Sequence, residues 1–314
     1  LKTWLNFNDQ NILIMKHRTV FKAAFGAAAV LGTLALGTQQ AQAGTLHQGW
    51  TYSIDSFKDG TEANVIGEKS DFEFYGMAFT QTRDMVYFAI NSNLSPDGYA
   101  SNGTLNGKIS YGDLLLNFTN LSSFNQANGS LYGVRFDDQN DTRFVTGSGK
   151  NQKTVDPSVG LYQNVKAASV TTKNSGYGSL QQHTNTVNNK LKGSASYGDM
   201  AANTSYFDNS KAAFTSMAAG SFLGAIEEVA DFSKLGLDFG HFQAKGAYTF
   251  GFSVDKKYLP TGKFIASLFA ECGNDGMVLM GELKDVPEPS MMIGLATIGL
   301  LTAGGFNRRR TAKA

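Results

Sequence analysis

Apolar residues are arranged in two different ways along this chain of 314 residues. Near each end they form an unbroken run, Ala23 to Leu36 and Met291 to Phe306. Between the ends they alternate with polar residues in short aromatic and β-branched stretches closed by Asn-Gly or Asp-Gly pairs, the pattern of strands and tight turns. Phe72 to Phe79 and Met85 to Ile90 flank the polar turn Gln81 to Asp84 and predict a β-hairpin. Asp113 to Phe118, Leu131 to Phe136, Tyr248 to Val254, Phe264 to Ala270 and Met277 to Leu283 predict further strands. Helical signals are rarer. Ser210 to Ala219 and Leu223 to Leu235 predict two helices, the second with Glu227 and Glu228 early and Lys234 late, as the helix dipole favours. Val145 to Asn203, rich in Ser, Thr, Asn, Gly and Lys, predicts long loops. Strands at both ends of the body with helices between them predict a mainly β fold. The expected form is an antiparallel β-sandwich, jelly-roll or lectin-like, with a small helical insertion. No fixed-period repeat or Pro-rich linker divides residues 44–285, which are therefore expected to be one extracellular domain with a looser middle.

The two apolar runs carry a different message. Lys16, Arg18 and Lys22 precede or begin the first, and Ala41-Gln42-Ala43 follows it with the small-x-small spacing that signal peptidase accepts. Residues 15–43 therefore read as a signal helix for the Sec translocon, cut between Ala43 and Gly44. Leu1 to Ile14 precede Met15 and read as an over-extended gene start. At the other end Val286-Pro287-Glu288-Pro289-Ser290 leads into the second run, which Arg308, Arg309 and Arg310 close. Sixteen residues of helix span about 24 Å against a hydrocarbon core of about 30 Å, marginal for a lasting anchor. The arginines hold the tail on the cytoplasmic side, and the prolines keep the approach extended.

This three-part tail, residues 286–314, resembles the PEP-CTERM sorting signal. The resemblance implies that the C-terminal membrane helix is held only transiently in the cytoplasmic membrane. It implies too that an exosortase cuts near Pro287–Pro289 and leaves the body at the cell surface or in the extracellular matrix. Four stretches of the body are also familiar: Gly49-Trp50-Thr51-Tyr52-Ser53-Ile54-Asp55-Ser56-Phe57, Tyr111-Gly112-Asp113-Leu114-Leu115-Leu116-Asn117-Phe118, Asn174-Ser175-Gly176-Tyr177-Gly178-Ser179-Leu180 and Phe269-Ala270-Glu271-Cys272-Gly273-Asn274-Asp275. They resemble the XDD group of mainly cyanobacterial exosortase-dependent surface proteins. That resemblance implies no activity.

Composition narrows the chemistry. Charged residues make up 17%, below the roughly 25% of ordinary soluble domains. With the eight basic residues of the two ends and Asp9 and Glu288 set aside, the body holds 19 basic and 24 acidic residues, about −5. Nucleic acid, which is bound by neutralising phosphates, is not an expected partner. Cys272 is the only cysteine, so neither an intrachain disulfide nor a Cys₄ or Cys₂His₂ zinc site can form.

Two groups of oxygen side chains have the make-up of calcium sites: Asp137-Asp138-Gln139-Asn140-Asp141, and Asp55 with Asp59 beside Gly60. The first lacks the glycine and the downstream glutamate of an EF-hand, and the plainer reading is a solvated hairpin loop. Cys272 ends an apolar strand and reads as a buried small hydrophobe. Glu73 and Glu282 read as parts of a solvated sheet face. Tyr99, Tyr111, Tyr177 and Tyr197 read as plugs in Gly-rich loops, with stacking on sugar rings as the alternative. No residue is assigned to catalysis or to a cofactor, and calcium is the one ion the sequence suggests. The expectation is a non-enzymatic surface or matrix protein with a structural, adhesive or assembly role. The alternative is a carbohydrate-binding, lectin-like module that takes surface polysaccharide, with or without calcium. A secreted hydrolase comes third, and requires His47, His183 or His241 beside Ser or Cys272, or two carboxylates in a cleft.

Overall fold

The computed structural model describes residues 44–285. The expected signal helix and cleavage motif (Ala41, Ala43 and Gly44) lie outside the described residues except for Gly44, as do Pro287–Pro289, the expected membrane helix and Arg308–Arg310. Within the described residues the fold is mainly β, with 40% strand and 14% helix.

Two antiparallel sheets of six strands each carry the architecture. The first contains β1 (Thr45–His47), β2 (Trp50–Ile54), β3 (Phe74–Gln81), β4 (Met85–Ser92), β9 (Glu227–Glu228) and β10 (Tyr248–Asp255), in the order β1-β2-β3-β4-β10-β9. The second contains β5 (Leu114–Asn117), β6 (Leu131–Arg135), β7 (Gly160–Ala168), β8 (Ser216–Gly224), β11 (Gly262–Phe269) and β12 (Gly276–Leu283), in the order β8-β7-β6-β5-β11-β12. The predicted hairpin is β3–β4, with Phe79 opposite Phe88 and the turn closed by the Thr82 N–H on the Met85 carbonyl at 2.9 Å.

Alternation along the strands sends one set of side chains into a core common to both sheets. Phe74, Met77, Phe79, Val86, Phe88, Ile90, Phe252 and Val254 from the first sheet meet Leu114, Leu116, Val134, Phe264, Ala266, Leu268, Met277 and Leu279 from the second. Phe79 and Phe264 pack edge to face at 5.0 Å. A register shift between Phe74 and Gly76 lets Phe74 and Met77 share a face although three positions separate them.

The outer faces are roofed as well, so β3 and β12 are buried along most of their length. Phe232, Phe239 and Ala244 cover Trp50, Tyr52, Tyr75, Ala78 and Ala89 of the first sheet, and the Trp50 indole N–H donates to the Leu235 carbonyl at 2.6 Å. Leu180, Tyr197, Met200, Tyr206 and Phe207 cover Leu115, Val165, Met217, Ile265 and Val278 of the second.

The middle of the chain departs from expectation. Ser210 to Ala219 and Leu223 to Leu235 are not helices: Ser216–Gly224 is the edge strand β8, Glu227–Glu228 is β9, and only Ser233–Leu235 makes a 3₁₀ turn. Their alanines and spaced leucines favour helix locally, but pairing with β7 and β10 overrides that weak preference. The expected loop Val145 to Asn203 contains the nine-residue strand β7 and the helical insertion, Leu180–Asn185 continued by a π turn over Thr186–Lys190.

Candidate functional site

Eight carboxylates of the described residues are buried: Asp55, Asp59, Glu73, Asp113, Asp137, Asp141, Glu271 and Asp275. Against them stand two buried cationic side chains, Arg135 and Lys256. The acidic balance of the body is therefore internal. The less buried positions keep 16 acidic and 17 basic residues, close to neutral. The eight form two groups at the same end of the second sheet, joined by Glu271–Asp275, which links β11 to β12.

The inter-sheet group comprises Asp55, Asp59, Glu73 and Asp275. Asp55 directly follows β2, while Glu73 and Asp275 directly precede β3 and β12. Since β2 and β3 are antiparallel neighbours, the end of one lies beside the start of the other. Asp275 Oδ2 ties β12 to the same place by accepting the Phe74 N–H at 2.7 Å. One ligand oxygen from each of Asp55, Asp59 and Asp275 lies within 4.8 Å of the others. Gly60 lets the Asp59 loop lie on the start of β3: a Cβ there would come within 2.4 Å of Glu73 Cα.

Each carboxylate is aimed by backbone amides. Asp55 Oδ1 accepts the Ser56 and Gly198 N–H groups at 2.9 and 2.8 Å. Asp59 Oδ2 accepts the Ser196 N–H at 2.7 Å, and Glu73 Oε2 accepts the Gly60 N–H at 2.7 Å. The opposite oxygens, Asp55 Oδ2, Asp59 Oδ1 and Glu73 Oε1, are buried with no hydrogen-bond partner. None of the ion pairs among the described residues involves these four acids. Two unit charges within 4.8 Å of each other repel by at least about 3 kcal/mol at an effective dielectric of about 20. Burial, reinforced for Glu73 by the charges of Asp59 and Asp55, raises the Asp55 carboxyl to about 6 and that of Glu73 to about 9. Burial and neighbouring carboxylates lift Asp59 and Asp275 well above the usual range.

The loop group comprises Asp113, Asp137, Asp141 and Glu271. Here the acids organise the chain after β6. Asp113 accepts the Asn140 amide and the Met217 N–H, both at 2.8 Å, and the Thr142 hydroxyl. Glu271 accepts the Asp141 N–H and, at 3.0 Å, the Ser110 N–H. Asn174 donates to Asp141 Oδ2 at 2.9 Å, and Arg135 Nε donates to Asn140 Oδ1 at 2.9 Å. Asp137 Oδ2, Asp141 Oδ1 and Ser110 Oγ have no partner, yet these acids do not bring three ligand atoms within 4.8 Å of one another. Asp137, Asn140 and Asp141 are buried and only Asp138 and Gln139 exposed, so the solvated-loop reading of this stretch is corrected. Its polar side chains are used by the fold.

The four stretches singled out in the sequence contribute residues here. They supply Asp55; Tyr111 and Asp113; Asn174 and Tyr177; and Glu271, Cys272 and Asp275. The Tyr177 N–H donates to the Cys272 carbonyl at 3.0 Å, and a Cβ on Gly176 would lie 1.8 Å from that oxygen. Cys272 is buried, and burial pushes its thiol up, as expected of a core side chain. His183 is buried too, lowered to about 4 by burial, with Nε2 3.0 Å from the Asp59 carbonyl. His47 and His241 stack at 3.8 Å beside Tyr52 and Phe242, with Asp238 Oδ2 3.6 Å from His47 Nε2. Tyr111 and Tyr197 are buried plugs, whereas Tyr99 and Tyr177 are half-buried and hydrogen-bond Glu62 and Thr61.

The sequence singled out Asp55, Asp59 and the Asp137–Asp141 stretch. It missed Asp113 and Asp275, and it read Glu73 as solvated; Glu73 is fully buried, while Glu282 is exposed and pairs with Lys284. The available signal was position: Asp55, Glu73, Asp113 and Asp275 each abut the end of an apolar strand. No protein-family model, curated protein or solved structure matches the chain. The exosortase-family resemblance thus rests on the residues quoted for it.

Proposed function

We propose that this chain is an exported cell-surface or extracellular-matrix protein that acts by binding, in adhesion or assembly, and not by catalysis. In this reading the Sec translocon and signal peptidase process residues 15–43, and an exosortase acts on residues 286–314. The two antiparallel sheets then form a β-sandwich of the jelly-roll or lectin-like kind, a rigid carrier for a recognition surface. One observation carries the binding role: a groove of about 540 Å³ lined by half-buried Phe136, Ile226 and Phe250 and edged by Asp97, Lys108 and Asp138. An apolar, aromatic floor with a few polar groups at the rim suits a ligand that is held rather than converted.

Replacing Pro287-Glu288-Pro289 by alanines tests delivery. The full-length form is expected to accumulate in the cytoplasmic membrane; mature-sized protein at the surface would refute the sorting signal. Phe250→Ala tests the groove and is expected to lower attachment of the exported protein to cells or matrix. A carbohydrate ligand is favoured by the aromatic rings of the groove lying beside Asp138 and Gln139, which suit stacking and hydroxyl recognition. A glycan array on residues 44–286, with and without chelator, decides this: binding to no glycan leaves protein assembly as the role.

A further inference from the structure

The inter-sheet group contains more buried negative charge than its surroundings can satisfy. Its three closest acids offer oxygens within 4.8 Å of one another. Glu73, outside that trio, is fully buried and leaves Oε1 without a partner, while its other oxygen is fixed by the residue next to Asp59. In the loop group the Asn140 and Asn174 amides and the Thr142 hydroxyl approach the acids; here backbone N–H groups, joined at Asp55 by the Ser196 hydroxyl, hold one oxygen each of Asp55, Asp59 and Glu73 and leave the other bare. Such amides fix ligand direction as outer-shell partners do around bound metals. An all-oxygen, carboxylate-rich set selects hard cations over zinc or copper. Oxygens bound to one calcium ion lie no more than about 5 Å from one another, so three within 4.8 Å of each other can share a single ion.

We propose that Asp55, Asp59 and Asp275, with Glu73 beside them, bind one hard divalent cation of the calcium class inside the domain. The ion fastens the start of β12 in the second sheet to the end of β2 and the start of β3 in the first. Its role is structural, and it holds whatever the surface groove binds. The stacked His47–His241 pair with Asp238 is a different, half-exposed set with nitrogen donors. It is the control for adventitious transition-metal binding.

The test uses the full chain in detergent, stripped with chelator and titrated separately with calcium, magnesium and zinc. Calorimetry and thermal melting are the readouts. Calcium is expected to bind once per chain with micromolar to millimolar affinity and to raise the melting temperature by at least about 5 °C at saturation. Magnesium, which resists dehydration, is expected to give a smaller shift. Asp59→Asn and Glu73→Gln keep the oxygen that accepts the backbone N–H and place an amide where the bare oxygen lies. Each is expected to weaken calcium binding at least tenfold while raising the melting temperature of the chelated protein above that of the chelated wild type. This second readout separates lost ligation from simple misfolding. His47→Ala/His241→Ala is expected to abolish any zinc binding and leave the calcium shift intact. The proposal is overturned if calcium neither binds nor shifts melting, if Asp59→Asn and Glu73→Gln keep the wild-type calcium response, or if both lower stability equally with and without calcium.

Discussion

The inter-sheet and loop groups face the same problem, four carboxylates inside a β domain, and solve it differently. In the loop group, Asp113 collects donors from Asn140, Thr142 and Met217, Asp141 collects one from Asn174, and Arg135 anchors Asn140 from the other side. The acids there replace the missing backbone pairing of an irregular segment, so each is a structural acceptor. In the inter-sheet group Asp55, Asp59 and Glu73 keep an oxygen that no donor reaches, against Asp137 and Asp141 in the loop group, and only the inter-sheet oxygens converge with a third carboxylate. Burial of a carboxylate is tolerable when directed hydrogen bonds surround it; otherwise a proton or a cation has to neutralise it. Removing an acceptor should therefore cost stability in the loop group, whereas replacing a bare carboxylate oxygen by an amide should raise the stability of the cation-free inter-sheet group.

The largest expected effect lies in the loop group. Asp113→Ala removes the acceptor shared by three buried donors and leaves the Asn140 amide, the Thr142 hydroxyl and the Met217 N–H unpaired. We expect it to destabilise the domain by about 3–5 kcal/mol in urea unfolding, calcium present or absent. If Asp113→Ala and Asp59→Asn shift the chelated protein in the same direction, the contrast between the groups is lost.

A smaller effect concerns pH. Burial, the largest cause in each, raises Glu271 from 4.5 to about 8 and Asp113 from 3.8 to about 6. The folded chain thus binds more protons than the unfolded one between those limits. The resulting stability is complete below about pH 4 and is lost as pH climbs through about 6 and then 8. With calcium held saturating, melting temperature is expected to fall from pH 5.5 to 8.5 (assay range, about three pH units), each proton contributing at most about 1.4 kcal/mol per unit. Glu271→Gln is expected to flatten the upper half of that profile. An unchanged slope would mean that Glu271 is ionised in the fold and that the two groups are neutralised alike.

How much of this was legible depends on which force fixes each segment. The hairpin β3–β4 and the strands Leu131–Arg135, Gly262–Phe269 and Gly276–Leu283 carry large alternating apolar side chains, and a sheet with a core is what such a pattern must bury. β7 and β8 carry Gln163, Asn164, Lys166 and a run of Ala, Gly and Ser. They are the outermost strands on that side of the second sheet, joined with several register shifts, and their place is set by pairing rather than by their own pattern. The candidate site divides similarly. Asp55 and Asp59 are four positions apart and could be read as one cluster. Asp275 is more than 200 positions away and looks like a turn residue until the Phe74 N–H, at a separation of 201, shows what it meets.

Glu73 and Glu282 sharpen the comparison at its weakest end. Both sit in or beside strands of alternating character, and sequence alone places both on a solvated face. Alternation is right that Glu73 points away from Phe72 and Phe74, which enter the common core. That opposite side is closed by the Asp59–Gly60 loop, close enough that Gly60 tolerates no side chain. Glu282 pairs with Lys284 at 3.1 Å, and its side chain remains 45% exposed. A surface pair of this kind gains little over solvation and is screened by salt. Glu282→Gln is therefore expected to change unfolding free energy by about 0.5 kcal/mol or less, with no dependence on calcium. Glu73→Gln makes the same chemical change and should couple strongly to calcium. If the two variants behave alike in a calcium titration, the roof over Glu73 makes no electrostatic difference, and the inter-sheet group holds no cation.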